Sequence, residues 1–111
     1  TIMSDFKESD WRYLRQVREE MLNELCARTN NEALSILGDD KHGSSYERWL
    51  AASRLFSDSG MVIAECFDDW RRSTAFFRCM SLRKHGLLTD ERLKGVSREL
   101  AESLITLVQN G

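Results

Sequence analysis

The sequence predicts an all-α domain, and three observations carry that expectation. Proline is absent from all 111 residues, so no position imposes the roughly 3 kcal/mol that proline costs inside a helix. Apolar residues recur at three- and four-residue steps along most of the chain, the period of one helix face. No apolar segment alternates cleanly at period two, and no Asn-Gly turn separates two such segments, so strands are not expected. A chain of this length suits one domain. About four helices are expected, with a long central one, in a helical-bundle homodimer.

The first helix is expected over residues 8–37. Leu14, Val17, Met21 and Leu25 step along one face. Arg15–Glu19 forms a favourable i,i+4 pair and Glu20–Glu24 a repulsive one. The apolar pattern resumes at Ala33, Leu34, Ile36 and Leu37, so the helix either continues to Gly38 or breaks softly at Asn30-Asn31. Gly38-Asp39-Asp40 is a stop signal. GDDKHGSS, residues 38–45, is the clearest loop. Ser44 with Glu47 three residues on is a capping box, so a central helix is expected over 45–85, long or kinked at Gly60. Tyr46, Trp49, Leu50, Ser53 and Phe56 mark one of its faces. From Met61 to His85, one broad face gathers Val62, Ile63, Cys66, Phe67, Trp70, Ser73, Thr74, Phe77 and Met80. Gly86 after Lys84-His85 is a C-terminal stop, and Thr89-Asp90-Glu91 opens a last helix over 89–109. Leu93, Val96, Leu100, Leu104 and Leu107 form its apolar stripe.

The composition weighs against several function classes. Sixteen basic and eighteen acidic residues give a net charge of −2, without the basic surplus typical of nucleic-acid binding. No apolar run reaches membrane-spanning length. The polar N-terminus, TIMSDFKESDW, lacks an apolar leader core, and a cytoplasmic protein is expected. Cys26, Cys66 and Cys79 form no C-x-x-C pair, and His42 and His85 lie far apart, so no metal site and no cofactor are expected. Each thiol is expected to be buried and reduced. Asp68 and Asp69 are adjacent and diverge by about 100° on a helix, a poor acid–base pair. No nucleophile elbow, phosphate loop or H-E-x-x-H helix is present. A non-enzymatic protein is expected.

The run FDDWRRSTAFF, Phe67 to Phe77, offers a protein-binding surface. Arg71 and Arg78 stand seven apart, on one edge of a continuous helix, beside Trp70 and Phe77. Arginine with large aromatics is a frequent composition of interface hot spots. These four are the expected partner-binding residues. Trp49, Phe56 and Ile63 are the expected dimer contacts, because three tryptophans, two tyrosines and five phenylalanines are many rings for one small core.

The segment Arg71 to Leu93 resembles the fluorescence recovery proteins, small helical dimeric regulators of cyanobacterial photoprotection. Arg71, Ser73, Phe77, Leu82, Lys84, Gly86, Leu87, Glu91 and Leu93 carry the likeness, and Asp68-Asp69 precede the arginine as in that family. Trp49 matches a tryptophan that opens the family's long helix, and Tyr13 to Ala27 is similar to its first helix. The chain departs at Ser53, where the family has an aspartate, and at Trp70, which stands between the acids and the arginine. The resemblance implies a homodimeric regulator that shifts the conformation of a partner, the orange carotenoid protein in the family's case, with Phe77 at the contact. Two other classes fit less well: a small helical nucleic-acid-associated transcriptional regulator using KGVSR or LRK, and a cofactor-binding helical bundle using the aromatic core.

Overall fold

A computed structural model describes residues 6–110. Its five helices are α1 (Glu8–Gly38), α2 (Ser45–Phe67), α3 (Ala75–Lys84), α4 (Asp90–Leu93) and α5 (Arg98–Asn110). Among the described residues there is no strand. The molecule is elongated, 53 × 25 × 23 Å, because the 31-residue α1 alone spans about 46 Å at 1.5 Å per residue.

Helices α1 and α2 form an antiparallel hairpin. Ser44 and Glu47 cap the start of α2 reciprocally, the Glu47 amide donating to Ser44 Oγ at 3.1 Å and the Ser44 amide to Glu47 Oε1 at 3.0 Å. At the turn, Arg48 donates to the Leu37 carbonyl at 2.8 Å, occupying an open acceptor at the end of α1. Midway, the Thr29 and Ser59 hydroxyls meet at 2.6 Å. Helix α1 runs through Asn30-Asn31 unbroken, and α2 runs through Gly60 unbroken. A mid-helix glycine costs only about 1 kcal/mol, which packing of the long hairpin readily offsets.

The core lies at one end of this hairpin. Leu14, Met21 and Leu25 of α1 meet Cys66 and Phe67 of α2, Phe76, Cys79 and Leu82 of α3, and Leu100 and Leu104 of α5. Leu87 and Leu88, in the connection after α3, are fully buried with them. The far half of the hairpin has small buried contacts instead, Ala33 and Ala52.

The expected central helix over 45–85 is divided. Helix α2 ends at Phe67, and α3 begins only at Ala75. Asp69 adopts φ +52°, the left-handed conformation that aspartate tolerates better than most residues. Thr74 Oγ1 donates to the Asp69 carbonyl and accepts from the Arg71 amide at 3.3 Å, closing the turn. Arg78 reaches back to the carbonyls of Glu65 (2.9 Å) and Asp68 (3.1 Å), which the end of α2 leaves without helical donors. The division changes which side chains are buried. Phe76, Cys79 and Leu82 of α3 face the core, whereas Phe77, expected on the face of Phe67 and Trp70, is exposed.

Helix α3 ends as the sequence suggested. Gly86 takes φ +70°, its amide donates to Arg83 O at 3.1 Å, and the Leu87 amide donates to Leu82 O at 2.9 Å. This is a complete Schellman motif, with Leu82 and Leu87 both buried beside it. The helix expected over 89–109 is also divided. Thr89 caps a single turn, α4, accepting from the Arg92 amide at 3.2 Å. The chain then turns at Gly95, where a Cβ would stand 2.2 Å from the Tyr13 ring. Asp10 of α1 accepts from the Ser97 amide and hydroxyl, both at 2.7 Å, and fixes where α5 starts.

Asp69→Ala is expected to destabilise the fold by about 1 kcal/mol, the cost of a left-handed alanine. Asp69→Gly, which removes that cost, is expected to stay near wild type. Urea unfolding of the two variants checks the ordering.

Candidate protein-binding surfaces

The residues expected to bind a partner occupy different environments. Arg71 lies outside any α-helix in extended backbone and pairs with Asp69 through two hydrogen bonds, the longer at 3.0 Å. That carboxyl is held below its ordinary range by the Arg71 hydrogen bonds. Arg71 and Arg78 therefore do not share a helix edge, because the chain turns between them. The Arg78 guanidinium is half-buried and committed to the end of α2. Trp70 is half-buried, with its ring 5.6 Å from Trp11 and 6.0 Å from Phe67. Phe77 is 49% exposed and meets buried Phe76 edge-on at 6.4 Å. Of the four, Phe77 and Arg71 face solvent.

The expected dimer contacts remain together on α2. Trp49 is 59% exposed, Phe56 is 49% exposed, and Ile63 is half-buried. Seven residues advance a helix by nearly two turns, so the three align along one side. Tyr46 stacks on Trp49 at 6.2 Å and 12°. Ser53 and Gly60 lie between them on the helix surface, whereas Glu47, Arg54, Asp58 and Glu65 fall on another side at 100° per residue. The stripe therefore carries aromatic and small residues without charge.

Several arginines hold the elements around these surfaces. Arg28 donates from both terminal nitrogens to His85 O (2.8 Å) and Gly86 O (3.0 Å), tying the end of α3 to α1. Arg92 of α4, 11% exposed, bonds Glu20 and Glu24 of α1, each at 2.7 Å. The Arg92 hydrogen bond holds the Glu24 carboxyl below its ordinary value. His85 Nε2 lies 3.1 Å from Glu65 Oε2 and links α3 to α2.

A cavity of about 150 Å³ lies between Phe6, Phe76 and Leu100. Its buried carboxylate, Asp10, is already engaged by Ser97. No group of three or more metal-ligating side chains occurs among the described residues, and none of the described helices is long and apolar enough to cross a membrane. Cys66 and Cys79 are fully buried; burial pushes their thiols up to about 11 and about 12. Cys26, expected to be buried as well, is only half-covered.

Two residues near Trp70 were not among the expected site residues. Trp11 and Arg18, on α1, pack against the aromatic turn after α2. The Arg18 guanidinium carbon sits 5.4 Å from the Phe67 ring centroid and 5.2 Å from that of Trp70. A signal was present in the sequence: positions 14, 15, 21 and 22, three and four residues from Arg18, hold Leu, Arg, Met and Leu, so no helical neighbour can pair with it.

Compared with protein-family models, with curated proteins and with solved structures, the chain matches none.

Arg92→Met, which keeps the stem and removes the charge, is expected to cost about 1.5 kcal/mol at neutral pH, the low end for hydrogen bonds to charged groups because Glu20 and Glu24 are partly exposed. Because the folded-state Glu24 value is depressed, this stabilisation is present above its ordinary value of 4.5 and is lost as pH falls through the folded-state value. The gap in melting temperature between wild type and variant should therefore narrow in acid, leaving the share from the Arg92 bond to Leu87 O. In thiol titration of the folded protein, one cysteine, Cys26, is expected to react promptly, and all three after denaturation; prompt reaction of three thiols in the folded state would contradict the burial described.

Proposed function

We propose that this chain is a non-catalytic homodimeric regulator, joined along the Trp49–Phe56–Ile63 stripe of α2, that binds a partner protein through the exposed surface of α3 and the preceding turn. The observation that carries the reading is the uncharged stripe of α2, whose exposed aromatic part, Trp49 and Phe56, lies toward the end of the hairpin with the thinnest core. Exposed contiguous apolar surface of this kind is characteristic of interaction sites, and a second copy of the same stripe is self-complementary under two-fold symmetry. Phe77 and Arg71 are the side chains offered to the partner. Trp70 and Arg78 support that surface from beneath, one by packing on Phe67 and the other by holding the end of α2.

The resemblance of Arg71 to Leu93 to the fluorescence recovery proteins supports the same reading and suggests how such a regulator works. Binding one conformation of a partner more tightly than another is sufficient to shift its equilibrium. The orange carotenoid protein is the partner that this resemblance suggests.

Light-scattering mass measurement after size exclusion tests the dimer. Wild type at micromolar concentration is expected at twice the 12.9 kDa chain mass, and Trp49→Glu at the monomer mass with helical content retained. A monomeric wild type would sink the dimer. The choice of partner is tested by adding the chain to light-activated orange carotenoid protein and following its absorbance back to rest. Faster recovery that is lost in Phe77→Asp supports that partner; an unchanged recovery rate rules it out.

A further inference from the structure

Five arginines of the described chain are half-buried: Arg18, Arg48, Arg78, Arg83 and Arg92. Four have their guanidinium groups hydrogen-bonded to acceptors of the chain itself. Arg48 bonds Leu37 O, Arg78 bonds Glu65 O and Asp68 O, Arg83 bonds Leu88 O and Asp90, and Arg92 bonds Leu87 O, Glu20 and Glu24. Arg18 is the exception: among the described residues it has no hydrogen-bond or ion-pair acceptor. Its guanidinium carbon nevertheless lies over the Phe67 and Trp70 rings, within cation–π distance of both. A guanidinium in this position has N–H donors to offer a carboxylate.

Among the described residues, three nearby acids are engaged by other groups. Glu8 bonds Arg72 at 3.0 Å and lies 3.8 Å from Arg15. Asp69 pairs with Arg71, and Asp10 with Ser97. Glu19 follows Arg18 on the helix and diverges from it by about 100°. Arg15 adds a second cation nearby, 5.8 Å above the Trp11 ring, and Trp11 packs on Trp70. Trp70 contributes a second unfilled donor, since its indole Nε1–H is buried without an acceptor.

We propose that Arg18, with Phe67 and Trp70 as its platform and Arg15 at its side, is a receptor for a carboxylate of an acidic peptide segment on a partner protein. The guanidinium edge takes the carboxylate in a two-pronged bond, and the half-buried Trp70 ring borders the aliphatic part of the acidic side chain. Occupation is reported at Trp70, because its ring lies 5.2 Å from the Arg18 guanidinium carbon. A peptide fits better than a nucleic-acid backbone because the chain has a net charge of −2 and the patch offers one free guanidinium rather than a row of cations. This site is distinct from the α2 stripe and does not depend on dimerisation.

The test is a titration of the isotope-labelled full chain with an acetylated hexaglutamate peptide at low ionic strength, read by NMR at the arginine Nε–H and tryptophan indole resonances. Saturable shifts of Arg18 and Trp70 are expected. Arg18→Gln is expected to weaken binding at least about tenfold, whereas Arg12→Gln, an exposed arginine of the same helix, leaves it unchanged. Arg18→Lys keeps the charge without the planar fork and is also expected to bind more weakly; it carries the test should the glutamine variant lose its melting transition. Trp49→Glu is expected to bind the peptide like wild type, so failure of the dimer leaves this result intact. Absence of shifts, wild-type affinity in the Arg18 variants, or equal affinity for inorganic phosphate would each overturn the proposal.

Discussion

The fold depends on how the carbonyls at the end of α2 are satisfied. A helix that stops leaves its last acceptors without amide donors, and here the stop lies next to the core. The Arg78 guanidinium, arriving from α3, takes the Glu65 and Asp68 carbonyls. The same contact holds α3 where Phe76, Cys79 and Leu82 enter the core. The reversal at Asp68 to Arg71 and the packing of α3 therefore support one another. The device recurs elsewhere in the chain: Arg48 serves the end of α1, and Arg28 serves the end of α3 from across the hairpin. In a chain without proline, the C-terminal ends of α1, α2 and α3 are each completed by an arginine brought from elsewhere in the fold.

That origin explains which features were legible beforehand. Ser44 with Glu47, Thr89, and Gly86 act on residues within a few positions of themselves, so the starts of α2 and α4 and the end of α3 could be read locally. The turn after Phe67 has no glycine or proline to announce it. It rests on a left-handed aspartate, a threonine hydroxyl and an arginine ten or more residues away. Gly60 carried the opposite signal and marks no break, because its small intrinsic cost is outweighed along a long helix. The start of α5 depends on Asp10, 87 positions earlier, and the turn before it on the Tyr13 ring. Neither pairing has a periodic signature.

The candidate surfaces divide in the same way. Trp49, Phe56 and Ile63 stay aligned because they lie within one helix, where seven-residue spacing retains its meaning. Arg71 and Arg78 lose theirs because the chain turns between them. Trp70 keeps an aromatic environment but gains it from α1, through Trp11 and Arg18, rather than from Phe77. Trp70 thus sits in a local aromatic–arginine cluster.

The concentration of large core side chains at one end of the hairpin also has a dynamic consequence. Free energies of local opening follow local contact density. Amides of α1 and α2 near the turn, held by Ala33, Ala52 and the Thr29–Ser59 contact, open at lower cost than those beside Leu14, Met21 and Leu82. The thinner packing of the hairpin tip therefore favours opening of the tip ahead of the head. Hydrogen exchange would divide the chain into a slowly exchanging head and a rapidly exchanging arm, with the arm protected in proportion to its contacts with another molecule.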